Sequence, residues 1–220
     1  MIYVNGDGFA AASYAACPYS WAGQDETYHL YGTLPHPINQ NASFANRLSL
    51  ALHHPLRLEA CELTLYDRLF DQIENALALD IRYMVISWPS FFRSVIEVDG
   101  TQYTFRFLDI EKYSYPANVK AAMRAKMGQT KTKETHQKFL DKCRDLCDTL
   151  DRRKIHHSMM MGENKLPFDI TFGNWLWDPK ETTVKSWAES NQLLNHHGFL
   201  SENGHKELGK LLIVHLTNQL

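Results

Sequence analysis

Met1-Ile-Tyr-Val-Asn-Gly-Asp-Gly-Phe-Ala-Ala-Ala12 decides the architecture of this chain. Ile2 to Asn5 is a short apolar strand, and Gly6, Asp7 and Gly8 are turn formers that end it. Working outward, Tyr83-Met-Val-Ile-Ser-Trp88 is a nearly continuous apolar run, which suits a central parallel strand covered on both faces. Leu56 to Ala60 and Lys154 to Met161 supply two further strands. Between the strands lie helical periods. Ser43 can cap a helix carrying Phe44, Leu48, Ala51 and Leu52 that Pro55 stops. From Thr64 the residues Leu65, Leu69, Ile73, Ala76 and Leu77 make a second amphipathic helix. Phe139, Leu140, Cys143, Leu146, Cys147 and Leu150 stripe a third, over about 134–151. Ser201 can cap a last one with Leu208, Leu211, Leu212 and Leu216. Strands alternating with helices, joined by right-handed crossovers, predict one α/β domain over 1–220, a three-layer αβα doubly wound parallel sheet of the flavodoxin-like kind.

Four segments break this rhythm. Ser94 to Val98 and Thr101 to Phe105 flank Asp99-Gly100, a strong hairpin signal, and predict a β-hairpin inserted over about 94–106. Cys17 to Asn41, rich in Pro, Gly, Asn and aromatics, reads as a long surface loop, and Leu166 to Trp187 as a second aromatic loop. Tyr113 to Thr132 is polar and partly basic, and reads as helix plus loop near the surface.

Composition narrows the function classes. The 220 residues are 44% hydrophobic with a formal net charge of −2, which supports a full core and leaves no electrostatic footprint for nucleic acid. The basic stretch Lys120 to Lys133 is a solvated helix face by default. No stretch approaches a membrane span and the N-terminus has no basic start or apolar leader, so the expectation is a soluble cytoplasmic protein made without a signal peptide, with no membrane partner. Cys17, Cys61, Cys143 and Cys147 form no CxxC pair, and Cys143 and Cys147, one turn apart on an apolar face, read as reduced core cysteines. The scattered histidines show no ligand spacing, so neither a metal nor a cofactor is expected.

Val4-Asn5-Gly6-Asp7-Gly8-Phe9 resembles the nucleophile block of SGNH (GDSL-type) esterases and lipases, above all divergent members carried in tailed-phage genomes, where the same strand ends Val-Asn-Gly-Asp-Ser-Phe. In that family the serine attacks an ester carbonyl while backbone N–H groups hold the oxyanion. Here the serine position is Gly8. The resemblance continues along the chain. Leu58-Glu-Ala-Cys-Glu-Leu-Thr-Leu-Tyr-Asp-Arg68 follows the second block with Leu63 at the oxyanion glycine, and Ile86-Ser-Trp-Pro-Ser-Phe-Phe-Arg93 follows the third with Pro89 at its threonine. Gly198-Phe-Leu-Ser-Glu-Asn-Gly-His205 follows the last, with Phe199 at the catalytic histidine and His196 at the aspartate. A second register makes Glu202 and His205 the acid–base pair. The resemblance implies the fold together with loss of nucleophile, oxyanion glycine and histidine. Removal of any triad member costs several orders of magnitude in rate, so it implies a catalytically silent domain.

The sheet rim then becomes the place to look, because ligands of doubly wound sheets bind beyond the carboxyl ends of the strands. That nominates Asp7, Glu62, Trp88, Ser90 and Arg93 as ligand-binding residues. Asp7 is equally an ordinary turn residue, and Arg93 a surface ion-pair partner. Ser90 is the one hydroxyl in a family block able to replace the nucleophile, and a rearranged site would use it or a metal-bound water with Asp7, His196 or His205. His196 and His197, adjacent on an extended segment, are expected to point apart as exposed loop residues. Trp175, Trp177 and Trp187, with Phe168 and Phe172, either stack on a sugar or pack onto the sheet. The leading expectation is a binding, interaction or structural protein, phage-encoded as the resemblance implies, with a protein partner or a virion assembly. The alternatives are an esterase or acetyl-hydrolase with a rearranged site, and a carbohydrate-binding module.

Overall fold

A computed structural model describes residues 1–17, 36–61, 64–90, 93–107, 110–111, 114–129 and 132–219. Four strands form one sheet: β1 (Ile2–Gly6), β2 (Leu56–Leu58), β3 (Tyr83–Trp88) and β6 (His156–Met161). They lie in the order β2-β1-β3-β6, and every pairing is parallel. Seven helices accompany them among the described residues: α1 (Pro37–Ala42), α2 (Phe44–Leu52), α3 (Tyr66–Ala76), α4 (Ala117–Gln129), α5 (Thr132–Arg152), α6 (Val184–Ser190) and α7 (Glu202–Thr217). The expected α/β sheet with helices on both faces is what the chain forms.

The pleat sorts the layers. Ile2, Val4, Tyr83, Val85 and Met160 point to one face, where Phe44, Ala45 and Leu48 of α2, Val184 and Ala188 of α6, and Leu208, Leu212 and Leu216 of α7 cover them. Tyr3, Met84, Ile86, Trp88, Met159 and Met161 point to the other, under Leu69, Phe70 and Ile73 of α3 and Phe139, Cys143, Leu146 and Leu150 of α5. Burying a Leu or Phe of this kind contributes about 1.5–3 kcal/mol. β1 and β3 are therefore apolar on both faces except at Asn5 and Ser87, which explains their nearly continuous runs. All four cysteines are buried, and burial pushes the Cys147 thiol up to about 12.

The hairpin forms at Asp99-Gly100 as a separate antiparallel pair, β4 (Arg93–Val98) with β5 (Thr101–Arg106). Its underside builds a small cluster of its own with Phe105, Ile110, Val119 and Met123, so the polar segment after it is held by α4. Two helices lie inside segments expected as loops. α1 begins at Pro37, with the His36 ring accepting from the Ile38 N–H. α6 begins on a capping box in which Thr183 and Ser186 each satisfy the other's backbone N–H. The predicted caps Ser43 and Ser201 are both in place, accepting from Asn46 N and Gly204 N. Trp21, Tyr28, Tyr31 and His29 of the expected first loop lie outside the described residues. No helix among the described residues is long and apolar enough to cross a membrane.

Candidate functional site

Gly6 ends β1 at φ +142°, and a Cβ there would stand 2.1 Å from the Ser87 carbonyl oxygen of β3. Only glycine permits this approach. It delivers the next residue, Asp7, to the junction of β1 and β3, where strand order changes direction and doubly wound sheets bind ligands. The Asp7 backbone N–H donates to Ser87 O at 3.1 Å, and Ser87 Oγ donates to Asp7 Oδ1 at 2.9 Å. The Phe9 N–H adds a second donor to the same oxygen at 3.2 Å. The carboxylate is almost wholly buried. Burial raises its pKa to about 7, against the lowering pull of the Ser87 hydroxyl and the Arg93 guanidinium. A buried carboxyl with such a shift at a strand terminus is a functional-site candidate.

Asp7 and Gly8 form part of the wall of a cleft of about 470 Å³, a volume within the range of small-molecule sites. Arg93 stands at the start of β4, and Thr104, Phe105 and Arg106 come from β5. Glu163 follows β6, and Lys185 lies in the first turn of α6. His197, Gly198 and Phe199 close the far side. The inserted hairpin thus supplies one wall of a cleft whose floor is the sheet rim.

Each wall has its own anchor. Glu163 takes both Arg106, in a close ion pair, and Lys185 at 3.4 Å. Burial opposes its charge, but Arg106, Lys185 and Arg93 together hold its carboxyl below the usual range. Gly162 is needed for this approach, since a Cβ on it would sit 1.7 Å from Asp7 Oδ2. Asn195 staples the last wall. Its Oδ1 accepts from His197 N and Phe199 N, while its Nδ2 donates to Tyr14 O. His197 stacks on Tyr14 with centroids 4.1 Å apart, and Phe199 leans on Phe9 at 5.4 Å.

Of the residues nominated from sequence, Asp7, Gly8, Arg93 and Phe199 meet in this cleft, and Trp88, Ser90, His205 and His196 do not. Trp88 is fully buried against Phe70 and Phe139, because the last residue of β3 points into the second core rather than over the rim. Ser90 is buried as well and its Oγ accepts from Asn164 Nδ2 at 2.7 Å, so it forms no part of the cleft wall. His205 lies in α7 on the opposite side of the first core, stacked on Phe44, with Nδ1 accepting from Phe44 N at the start of α2. Burial, and then the Arg47 charge, lower its pKa to about 3, and it serves as a neutral structural ring. Glu62 and Leu63 lie outside the described residues. His196 and His197 are exposed, yet their rings do not diverge: a turn at 196–199 brings the centroids to 3.9 Å, and only His197 lines the cleft.

Arg106, Glu163, Lys185 and His197 are cleft residues that sequence reasoning passed over. Glu163 carried a usable signal, being a charged residue just beyond the carboxyl end of a buried parallel strand. The other three come from separate elements, and only the fold assembles them. The three tryptophans are half-buried, Trp177 and Trp187 against the first core and Trp175 against the second, so their rings pack onto the sheet. Among the described residues no group of three acidic, histidine or cysteine side chains is placed to hold a metal.

No family model and no curated protein matches this chain. Among solved structures, it is similar to a protein from Desulfitobacterium hafniense DCB-2 described as belonging to the G-D-S-L family of lipolytic proteins, at 12% identity over 98% of each chain and a TM-score of 0.44. An alignment at that level assigns no residue a role.

Proposed function

We propose that this chain is a binding protein whose rim cleft captures a small polar ligand without family-type ester hydrolysis. One observation carries the reading: the cleft is open and charged, and at the point where β1 hands the chain to the rim its wall is Gly8, with no serine or cysteine among the described lining residues. Thr104 and Tyr115 carry the lining's neutral hydroxyls. A ligand could therefore be held by Arg93, Arg106, Lys185 and Asp7 with no activated nucleophile beside it. The SGNH-type resemblance, with Phe199 at the histidine position in the lining of the same cleft, supports the same reading and a history in a phage-encoded structural or interaction protein.

The test is a fragment screen on the whole chain followed by amide chemical shifts. Hits that move the amides of Gly8, Phe9, Gly162 and Gly198 support the reading. Hits that gather elsewhere, leaving these four amides still, sink it.

A second reading is favoured by one further observation. Asp7, raised to about 7, is well matched to act as a general base on water at neutral pH, and His197 lines the same cleft. This is hydrolysis by a rearranged site. It requires turnover that disappears with Asp7→Asn.

A further inference from the structure

Glu163 serves two cations at unequal distances. Arg106 makes the closer contact, and Lys185 Nζ stands 3.4 Å from Oε1, well beyond the 2.7–2.9 Å or so of a strong charge-assisted hydrogen bond. Lys185 is about one-third exposed, whereas Glu163 is only 22% exposed, so the ammonium is the more accessible member of the pair. A second carboxylate or phosphate arriving in the cleft reaches Lys185 without stripping Arg106 from Glu163. The same cleft lining includes the half-buried rings of Phe199 and Tyr115. It therefore offers a cation for a negative charge and aromatic surface for a flat apolar body.

We infer that the cleft takes a small organic anion, its acidic group on Lys185 and its ring on Phe199 and Tyr115. This rests on the rim cleft being the binding site, and names the ligand class for it. The cleft's volume of about 470 Å³ holds a substituted single ring. The neighbouring carboxylates set the selectivity. Glu163 is already shared between two cations, and Asp7, raised by burial to about 7, is only partly ionised at neutral pH. A ligand with a cationic group would meet Lys185 and Arg106 and be repelled.

Isothermal titration of the whole chain with benzoate, phenyl phosphate, benzamide and inorganic phosphate tests this. Benzoate and phenyl phosphate are expected to bind at least about tenfold more tightly than benzamide, the discrimination of one charge-assisted contact, and inorganic phosphate alone more weakly than phenyl phosphate. Lys185→Gln is expected to abolish the preference, with benzoate weakened about tenfold and benzamide unchanged, while Lys185→Arg restores it. The thermal midpoint of both variants, read alongside, should match the parent, because Lys185 is a partly exposed pair member. Benzamide binding as tightly as benzoate, or a preference that survives Lys185→Gln, overturns the inference and leaves the cleft reading standing. Failure of all ring probes while uncharged fragments still move the Gly8 and Gly198 amides likewise overturns only the ligand class. The binding reading itself falls only when no fragment reaches those amides.

Discussion

Ser87 holds Asp7 twice, accepting its backbone N–H at 3.1 Å and donating Oγ to its carboxylate at 2.9 Å. The residue that leaves β1 is thereby locked to the strand beside it, and a carboxyl group is fixed in a nearly dry place at the mouth of a cleft. The cost of that placement is readable in solution.

Asp7 titrates near 3.8 when the chain is unfolded and near 7 when folded. Between those values the folded state holds a proton that the unfolded state has released. Stability must therefore fall as pH rises from about 4 to about 7, then level off, by the linkage between proton uptake and folding. Asp7→Asn keeps an acceptor for Ser87 and has nothing to titrate. Urea melts at several pH values should show the variant lacking about one proton's worth of this downward slope, and more stable than the parent at pH 8. Parallel profiles for the two proteins would mean that Asp7 is not held in this environment.

His205 works with the opposite sign. Its folded pKa near 3 lies below the ordinary 6.5, so the unfolded chain gains a proton that the native ring refuses, and stability is lost as pH falls below about 6.5. The lowered values of His136, His157 and His215 act in the same direction. His205→Asn, which retains an acceptor for the Phe44 N–H, is expected to flatten the acid limb by about one proton between pH 4 and 6. Over that interval Asp7 and His205 offset each other, so the parent alone shows neither, and the two variants must be measured separately.

Two glycines should fail in different ways. Gly6→Ala drives a Cβ into the backbone of β3, where nothing can move without breaking the register of Gly6 with Ser87, and an overpacked site of that kind costs about 3 kcal/mol or more. Gly162→Ala meets the Asp7 carboxylate instead, which can turn away. That variant is expected to fold, with about 1–3 kcal/mol lost, and to lose the Asp7 slope described above. Thermal and urea melts of both, with the pH series on Gly162→Ala, check this pair.

Replacing Gly8 with serine puts a hydroxyl on the cleft wall. Asp7 is engaged by Ser87, and His197, elsewhere on the lining, is stacked on Tyr14. A serine hydroxyl with no base aligned to take its proton stays a weak nucleophile. Gly8→Ser should hydrolyse p-nitrophenyl acetate no faster than the parent, and an acyl-enzyme burst from it would show that a base is aligned after all.

Much of this fold was legible in the chain. β1 and β3 announced themselves because strands covered on both faces carry apolar residues on both sides of the pleat, and Asp99-Gly100 marked the hairpin through its turn chemistry. α6 was missed although Thr183 and Ser186 carried a cap signal, because the aromatic residues around it pack on two cores and mask any single helical stripe. The cleft was half legible. Asp7 and Gly8 follow directly from the end of β1. Arg106, Lys185 and His197 are ordinary surface residues in the sequence, and they become a site through the hairpin folding back over the rim. Trp88 and Ser90 are buried away from the cleft lining; motif spacing does not say which way a side chain points, and pleat and packing do.

The most direct measurement is turnover of p-nitrophenyl acetate and of acetylated sugars by the purified chain, compared with Asp7→Asn under the same conditions. The account predicts rates for both proteins indistinguishable from buffer. Parent hydrolysis above buffer that vanishes in Asp7→Asn would contradict it and make the cleft a catalytic site.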